Sequence, residues 1–145
     1  MVLSSSEIER KIKEIGLEVF PEFNGGNWTI HTRGYDWVYI FGGLGQKAFS
    51  GYSFAIHFKH GISYGGDVAV LREARGKNYG RRLVEAREKM CLASGASLII
   101  INNNQNPSFW RYMDYLPLSK DLWGLFDRNI GMPCYNPLYK LLSES

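Results

Sequence analysis

The stretch that most limits what this chain can become is Val68-Ala69-Val70-Leu71-Arg72-Glu73-Ala74-Arg75-Gly76-Lys77-Asn78-Tyr79-Gly80-Arg81-Arg82-Leu83. It opens on a short apolar, β-branched run, which reads as a buried strand. It passes through a polar turn punctuated by glycine. It ends in a helical pattern, with Leu83, Ala86, Met90 and Ala93 on one face, Val84 and Cys91 beside them, and Gly95 as the C-terminal stop. The unit is a strand, a Gly-rich turn and a helix N-terminus.

The charges at this turn oppose ordinary helix design. A helix N-terminus carries partial positive charge and favours acids. This one holds Lys77, Arg81 and Arg82, with Arg75 just before. Each basic residue there costs about 0.3–1 kcal/mol unless compensated, and a bound anion reverses the sign. Backbone N–H groups, small residues and basic side chains together describe a phosphate site. A solvated basic turn with glycines for geometry is the alternative at this point. Neither G-x-x-x-x-G-K-[ST] nor G-x-G-x-x-G is present.

One domain over residues 1–145 is expected, long enough to bury a core. A net charge of +3, from 17 basic and 14 acidic residues, is too small to imply nucleic acid. Cys91 and Cys134 have no motif spacing, so neither a disulfide scaffold nor a zinc site is expected, and no metal. The N-terminus runs straight into a charged helix without a secretory pattern, and the longest apolar run, Leu98-Ile99-Ile100-Ile101, cannot span a bilayer. A cytoplasmic setting without membrane contact is the expectation.

Along the chain, Ser4-Ser5-Ser6-Glu7 offers a capping box, Ile8, Ile12 and Ile15 recur at helical spacing, and Gly16 can close that helix. From Trp28 to Arg33 the period is two. Asp36 to Phe41 reads as a second strand and Gly51 to His60 as a third, while Gly61 to Gly66 turns the chain into the central strand. Ser97 to Ile101 follows the central helix and is predicted to lie parallel to the central strand. A short helix with Phe109, Tyr112 and Met113 on one face is capped by Asn106 or Ser108. Strands around Tyr115 and over 138–142 complete the order, with a helix or turn over 120–126. The class is α/β in the α+β sense: an antiparallel N-terminal meander, a central parallel pair, and helices on both faces.

The turn resembles the pyrophosphate-binding motif of the GNAT superfamily of N-acetyltransferases, Q/R-x-x-G-x-G/A between a strand and a helix. Arg75-Gly76-Lys77-Asn78-Tyr79-Gly80 fits it in order, with Asn78 in place of the middle glycine. Asn is the non-glycine residue most tolerant of a left-handed backbone. The resemblance implies that the central pair splays at a cofactor cleft and that acetyl-CoA is the co-substrate. It implies that Arg75, Gly76, Lys77, Asn78, Tyr79, Gly80 and Arg81 hold the pyrophosphate. The thioester lies in the splay, its carbonyl polarised by the backbone N–H groups of Val68 to Val70. The product is an acylated primary amine, with the acceptor unidentified and a homodimer left open.

Family members carry an Asn after the fifth strand, a helix starting Phe-Tyr and a Gly-Phe pair. Asn103 lies at the usual distance from Phe109-Trp110, and Asp114-Tyr115 stands where Gly-Phe is expected. The family tyrosine often protonates the departing thiolate. Trp110 holds its place, and an indole N–H is no acid near neutral pH. Tyr112 lies two residues on, so either solvent, another tyrosine or no group at all does that work. For the general base the candidates are Asp67, Glu73, His57 and Tyr64. Glu73 reads as a solvated charge and His57 as a structural histidine, while Asp67 either faces the cleft or caps the turn. Asp67 and Tyr112 stand as the catalytic candidates, with Val68, Val70, Asn103 and Trp110 joining the turn residues at the cofactor.

Three readings compete: an acyl-CoA-dependent N-acyltransferase, a non-catalytic module of the same fold that binds coenzyme A or a protein partner, and a nucleic-acid binder using Arg72, Arg75, Lys77, Arg81 and Arg82. The last set is too compact to track several phosphates. A toxin-like acetyltransferase acting on charged transfer RNA would merge the first and third.

Overall fold

The computed structural model describes residues 4–21, 28–33, 36–41, 52–57, 61–68, 78–102, 106–124 and 135–143. The first helix, α1 (Ser5–Val19), starts on the expected capping box: Ser4 Oγ accepts from the Glu7 N–H at 3.3 Å, and Glu7 Oε1 accepts from the Ser4 N–H at 3.3 Å. Ile8, Ile12 and Ile15 form its buried stripe. Gly16 does not end it. The helix runs to Val19, Gly16 is buried within it, and the Phe20 N–H donates to the Gly16 carbonyl. That extra turn sets Phe20 in the core with none of its surface exposed.

Three antiparallel strands follow, β1 (Trp28–Arg33), β2 (Asp36–Phe41) and β3 (Tyr52–His57), and β3 pairs antiparallel with β4 (Ile62–Val68). The central strand therefore begins at Ile62, within the segment expected to turn. Within that segment Gly61, at φ 64°, has the left-handed backbone of a turn. Ile62 and Tyr64 pack on one face of the sheet. Gly65 stands against Arg87 of the helix α2 (Tyr79–Ala93) on the other. Glycine in this strand thus marks close approach rather than a turn.

After α2, β5 (Leu98–Ile101) lies parallel to β4, as expected from the crossover, with Ile62 opposite Leu98 and Gly65 opposite Ile101. The short helix α3 (Pro107–Tyr112), β6 (Leu116–Pro117), a 3₁₀ turn (Lys120–Leu122) and β7 (Leu138–Leu141) complete the order. The described strands form one sheet in the order β1-β2-β3-β4-β5-β7-β6. Proline in the two-residue edge strand β6 discourages further pairing.

The main core gathers Ile8, Ile12 and Ile15 of α1, Leu83, Val84, Ala86, Met90 and Cys91 of α2, and Ile99 and Ile101 of β5. Ala93, expected on the apolar face of α2, is exposed, and Arg87 is fully buried instead. The opposite face, where helices were also expected, carries a smaller cluster of Tyr64 and Ile100. Ile62, Leu98, Leu118 and Tyr139 pack on it, and the 3₁₀ turn follows Leu118. Gly95, at φ 98°, ends α2 as expected.

Candidate active site

The parallel ladder ends at Gly65 and Ile101, yet β4 runs on to Val68. On its other edge the register with β3 shifts between Phe54↔Gly65 and Tyr52↔Val68. That shift is a bulge, with one extra residue in β4 at Gly66 or Asp67, and bulges bend a strand. β5 itself ends at Ile101, and the segments that follow, 69–77 and 103–105, lie outside the described residues, as does the splay the resemblance implied. Val68 stands at the exit of β4, half-buried against the main core. The side chain of Asp67 lies outside what is described, as do Val70, Arg75, Gly76, Lys77 and Asn103. Of the other general-base candidates, Tyr64 is buried in the smaller cluster, away from α2.

The N-terminus of α2 faces the same end. Asn78 is its N-cap, with φ 61° and ψ 21°, a left-handed backbone where the motif carries glycine. Its side chain makes no capping hydrogen bond, and no acidic residue lies in the first turn. Its carbonyl already accepts from the Arg82 N–H at 3.1 Å. The helix itself gives the N–H groups of Tyr79, Gly80 and Arg81 no acceptor. An exposed cap, an acid-free first turn and Gly80, which lets a ligand approach the backbone, fit a pyrophosphate.

The two arginines of this turn diverge. Arg82 Nη2 donates to the Val19 carbonyl at 2.7 Å, and its guanidinium lies 4.5 Å from the Phe20 ring centroid and 5.7 Å from that of Tyr79. It serves α1. Arg81 points outward: Nε donates to Glu85 Oε1 at 3.1 Å and Nη1 to the Tyr112 hydroxyl at 3.3 Å. The Glu85 hydrogen bond, then that of Tyr112, holds the Arg81 guanidinium above its ordinary pKa.

Asn106 caps α3, accepting from the Phe109 N–H at 3.4 Å, with Pro107 in the first turn. Tyr112 does not share the inward face with Phe109 and Met113. It is 67% exposed and directed at Arg81, while Trp110 turns inward. The indole stacks edge-on against Tyr115 at 5.0 Å and Phe109 at 5.0 Å, and Arg87 lies 5.7 Å over it. A single-residue count along a six-residue helix cannot separate these faces, but a 200° turn between the two positions does. Asp114 has φ 69°, the conformation a glycine takes at the start of a Gly-Phe pair.

Arg87 and Glu88 were not singled out from the sequence, and Tyr115 was named only at the Gly-Phe position and as the centre of a strand. Tyr115, 2% exposed, donates to Glu88 Oε2 at 2.7 Å, and Lys140 donates to Glu88 Oε1 at 2.8 Å. Burial, then the Glu88 charge, pushes the Tyr115 phenol far above its usual range. It is no proton donor at neutral pH. The signal that could have revealed Arg87 is its spacing: it falls one residue after Ala86 and three before Met90, inside the buried arc of α2.

A scan against family models matches residues 10–115 to the acetyltransferase (GNAT) family. No curated protein matches the chain. Among solved structures, an acetyltransferase of the GNAT family from Staphylococcus aureus Mu50 superposes at a TM-score of 0.58 and 13% identity, covering 99% of this chain and 98% of that one. Tetrahymena GCN5 gives 0.59 at 10% identity, over 97% and 91%. N-acetylglutamate synthase from Neisseria gonorrhoeae, complexed with coenzyme A and N-acetyl-glutamate, gives 0.57 at 15% identity and covers 99% of this chain, which spans only 34% of that enzyme. At these identities the likeness is one of fold.

Proposed function

Because the chain belongs to the acetyltransferase (GNAT) family, we propose that it is an acyl-CoA-dependent N-acyltransferase, moving an acetyl or related acyl group from acetyl-CoA to a primary amine. The observation that carries this reading is the uncapped, acid-free N-terminus of α2, with the left-handed Asn78 at its cap, in the crossover that leaves the bulged end of β4. That N-terminus supports a seat for the phosphates of the donor, and we place the acyl arm along the end of β4. Coenzyme A is bound by the Neisseria synthase of the same fold, which supports the choice of donor. The setting we propose is cytoplasmic.

In this reading the turn from Arg75 to Arg81 holds the phosphates, with Arg81 the outward-facing arginine. Backbone N–H groups at the end of β4 polarise the thioester carbonyl. Asp67 is the proposed base, directly or through water. The acceptor is set by segments 22–27 and 42–50, which carry no acidic cluster that would select a polyamine.

A second reading, a module that binds coenzyme A without turning it over, is favoured by one observation: Trp110 fills the tyrosine position and packs against Tyr115 and Arg87. The nucleic-acid reading loses support, since Arg82 is committed to Val19 and Phe20.

Thermal melting with acetyl-CoA, followed by thiol release with a panel of amines, tests the proposal. A ligand at a hundred times its dissociation constant adds about 2.7 kcal/mol, so a rise in Tm is expected. Thiol release with at least one amine is expected of the enzyme. A rise without release with any amine favours the binding module, and no rise at millimolar acetyl-CoA overturns both.

A further inference from the structure

A hollow of about 270 Å³ opens between α3, the end of β6 and the start of β7. Pro107 and Arg111, one helical turn apart and so on one side of α3, line it with Tyr115, Trp123, Asn136 and Pro137. Tyr112, the next residue along, goes to Arg81 instead, so the hollow lies on another side of α3 from the residue that meets α2. The polar atoms of both lining rings are already engaged. The Tyr115 hydroxyl donates to Glu88 at 2.7 Å, and Trp123 Nε1 donates to the Leu118 carbonyl at 3.0 Å. What the rings offer a ligand is carbon. The Leu118 N–H donates to the Pro137 carbonyl at 2.9 Å, which ties the end of β6 to the start of β7. Proline fixes its own backbone torsion, so Pro107 and Pro137 help to pre-form the walls.

The charge at this hollow has one sign. Arg111 is exposed, and no acid among the described residues pairs with it. The Lys120 ammonium lies 5.7 Å from the Trp123 ring centroid. Among the described residues no aspartate or glutamate lines the hollow. Small-molecule sites combine mostly apolar and aromatic walls with a few placed polar groups, and that is the composition here. A guanidinium presents a planar fork that matches a carboxylate with two parallel hydrogen bonds.

We infer that this hollow binds a small carboxylate with an aromatic or short aliphatic body, the carboxylate on the Arg111 fork and the body against Trp123, Tyr115 and the lining prolines. Both halves of the ligand are needed. An inorganic anion has nothing to lay against the rings, and an uncharged analogue leaves Arg111 without its partner. The size sets a limit as well: drug-sized ligands occupy about 300–1,000 Å³, so a hollow just below that range admits a body of one ring or its aliphatic equivalent. The inference stands apart from the acyl-CoA reading, since it uses neither the turn before α2 nor the end of β4.

Nuclear magnetic resonance of protein labelled with ¹⁵N at the tryptophan indoles tests this, with benzoate, phenylacetate and hexanoate as probes and benzamide and inorganic phosphate as controls. The chain has four tryptophans, and Trp123→Phe assigns the signal to follow. At least one carboxylate is expected to bind with a Kd of about 1 mM or tighter and to move the Trp123 indole signal more than the other three. Benzamide should bind at least about tenfold more weakly than benzoate, because a hydrogen bond to a charged group is the stronger kind. Arg111→Gln should weaken the carboxylate by a similar factor and leave Tm unchanged, since the side chain is exposed. No movement of the Trp123 signal by any of the three carboxylates at about ten times that Kd overturns the inference. So does benzamide binding as well as benzoate, phosphate binding as well as the carboxylates, or Arg111→Gln binding like the wild type. The comparison of benzoate with benzamide needs no variant, so a poorly folding Arg111→Gln leaves the inference testable. Acetyl-CoA plays no part in the readout, so this inference and the acyl-CoA reading fail separately.

Discussion

Arg82 Nη2 donates to the carbonyl oxygen of Val19 across 2.7 Å, and Nε reaches the same oxygen at 3.3 Å. Val19 is the last residue of α1, so its carbonyl is one the helix leaves without an internal donor and lies at the negative end of the dipole. The first turn of α2 is thereby tied to the last turn of α1. Adjacent arginines have separate tasks: Arg82 joins two helices, and Arg81, turned outward to Glu85 and Tyr112, is the one proposed to meet the phosphates.

Arg82→Ala should therefore cost stability and Arg81→Ala should cost binding. Hydrogen bonds from a charged group are worth about 1.5–3 kcal/mol, and the stacking on Phe20 adds about 0.5–1 kcal/mol. Urea unfolding should place Arg82→Ala about 2 kcal/mol below wild type, within these limits. Among the described residues Arg81 makes an exposed i,i+4 pair and one contact to Tyr112, so its removal should leave the urea midpoint close to that of wild type. Calorimetry should show acetyl-CoA affinity reduced about tenfold for Arg81→Ala, the equivalent of ~1.4 kcal/mol. The reverse pattern would assign the two arginines the other way round.

Asn78 and Asp114 both hold a left-handed backbone, at φ 61° and φ 69°. Such a conformation costs most L-residues about 1–2 kcal/mol, and Asn and Asp less. Asp114→Gly should be within about 0.5 kcal/mol of wild type, whereas Asp114→Val should be less stable by about 1 kcal/mol or more. Asn78→Gly should bind acetyl-CoA as well as wild type or better, since it removes a Cβ from the phosphate approach. Weaker binding by Asn78→Gly would show that the asparagine side chain, not its backbone, is what the ligand needs.

Gly65 is set closely against a helix side chain. A methyl there would stand 2.8 Å from Arg87 Cζ and 3.0 Å from Ile101 Cγ2. Since Arg87 is buried, it has little room to withdraw. Gly65→Ala should lower stability by about 1–3 kcal/mol, as overpacking does. A neutral result in thermal melting would mean that Arg87 can swing clear of the strand.

Alkaline pH should weaken the fold through Cys91. Burial raises its thiol from 9.0 to about 11. The folded pKa lies above the unfolded one, so the unfolded chain loses the proton first as pH rises. The contribution is fully present below pH 9 and falls away between 9 and about 11. Two units correspond to about 3 kcal/mol. Tm should decline over that window, and Cys91→Ala should decline less steeply. The raised phenol of Tyr115 acts in the same direction, so some slope should remain in the variant. A pH-independent Tm up to 11 would contradict the burial of both groups.

The sequence revealed whatever a local period or cap could encode. β1 and β2 lie where alternation put them, and Ser4 and Glu7 form their box. Asn78 takes the glycine conformation its residue type allows. The start of β4 was hidden because Gly61, Gly65, Gly66 and Asp67 are turn-forming types. In the fold, Gly65 admits Arg87 and the pair that follows lies at the bulge. Arg87 was hidden because a count of apolar positions treats arginine as surface. Its partners Gly65 and Trp110 are remote in sequence, and nothing local announces them. Arg82 was grouped with the phosphate ligands for a like reason: its acceptor, Val19, is 63 residues away.

Tyr112 and Trp110 divide the outer and inner sides of α3, and this sets the last expectation. The Tyr112 hydroxyl accepts from Arg81 at the first turn of α2, the proposed phosphate end, with the ring 67% exposed. In the proposed reaction, proton donation to a departing thiolate belongs at the family's tyrosine position, which Trp110 holds. Tyr112→Phe deletes one hydroxyl and keeps the ring, so the fold should hold. Thiol release should fall by less than about tenfold, below the ~10²–10⁴ that general-acid catalysis contributes. Any loss should appear mainly as weaker acetyl-CoA binding, because Arg81 loses a partner that orients it. Trp110→Phe retains an aromatic ring against Tyr115 but removes contact with Arg87. It should change thiol release by no more than about tenfold and lower Tm, since an aromatic pair contributes about 0.5–1.5 kcal/mol beyond its buried area. A hundredfold loss of turnover in Tyr112→Phe at unchanged Tm and unchanged acetyl-CoA affinity would instead make the phenol the acid, and would require α3 to rotate on binding.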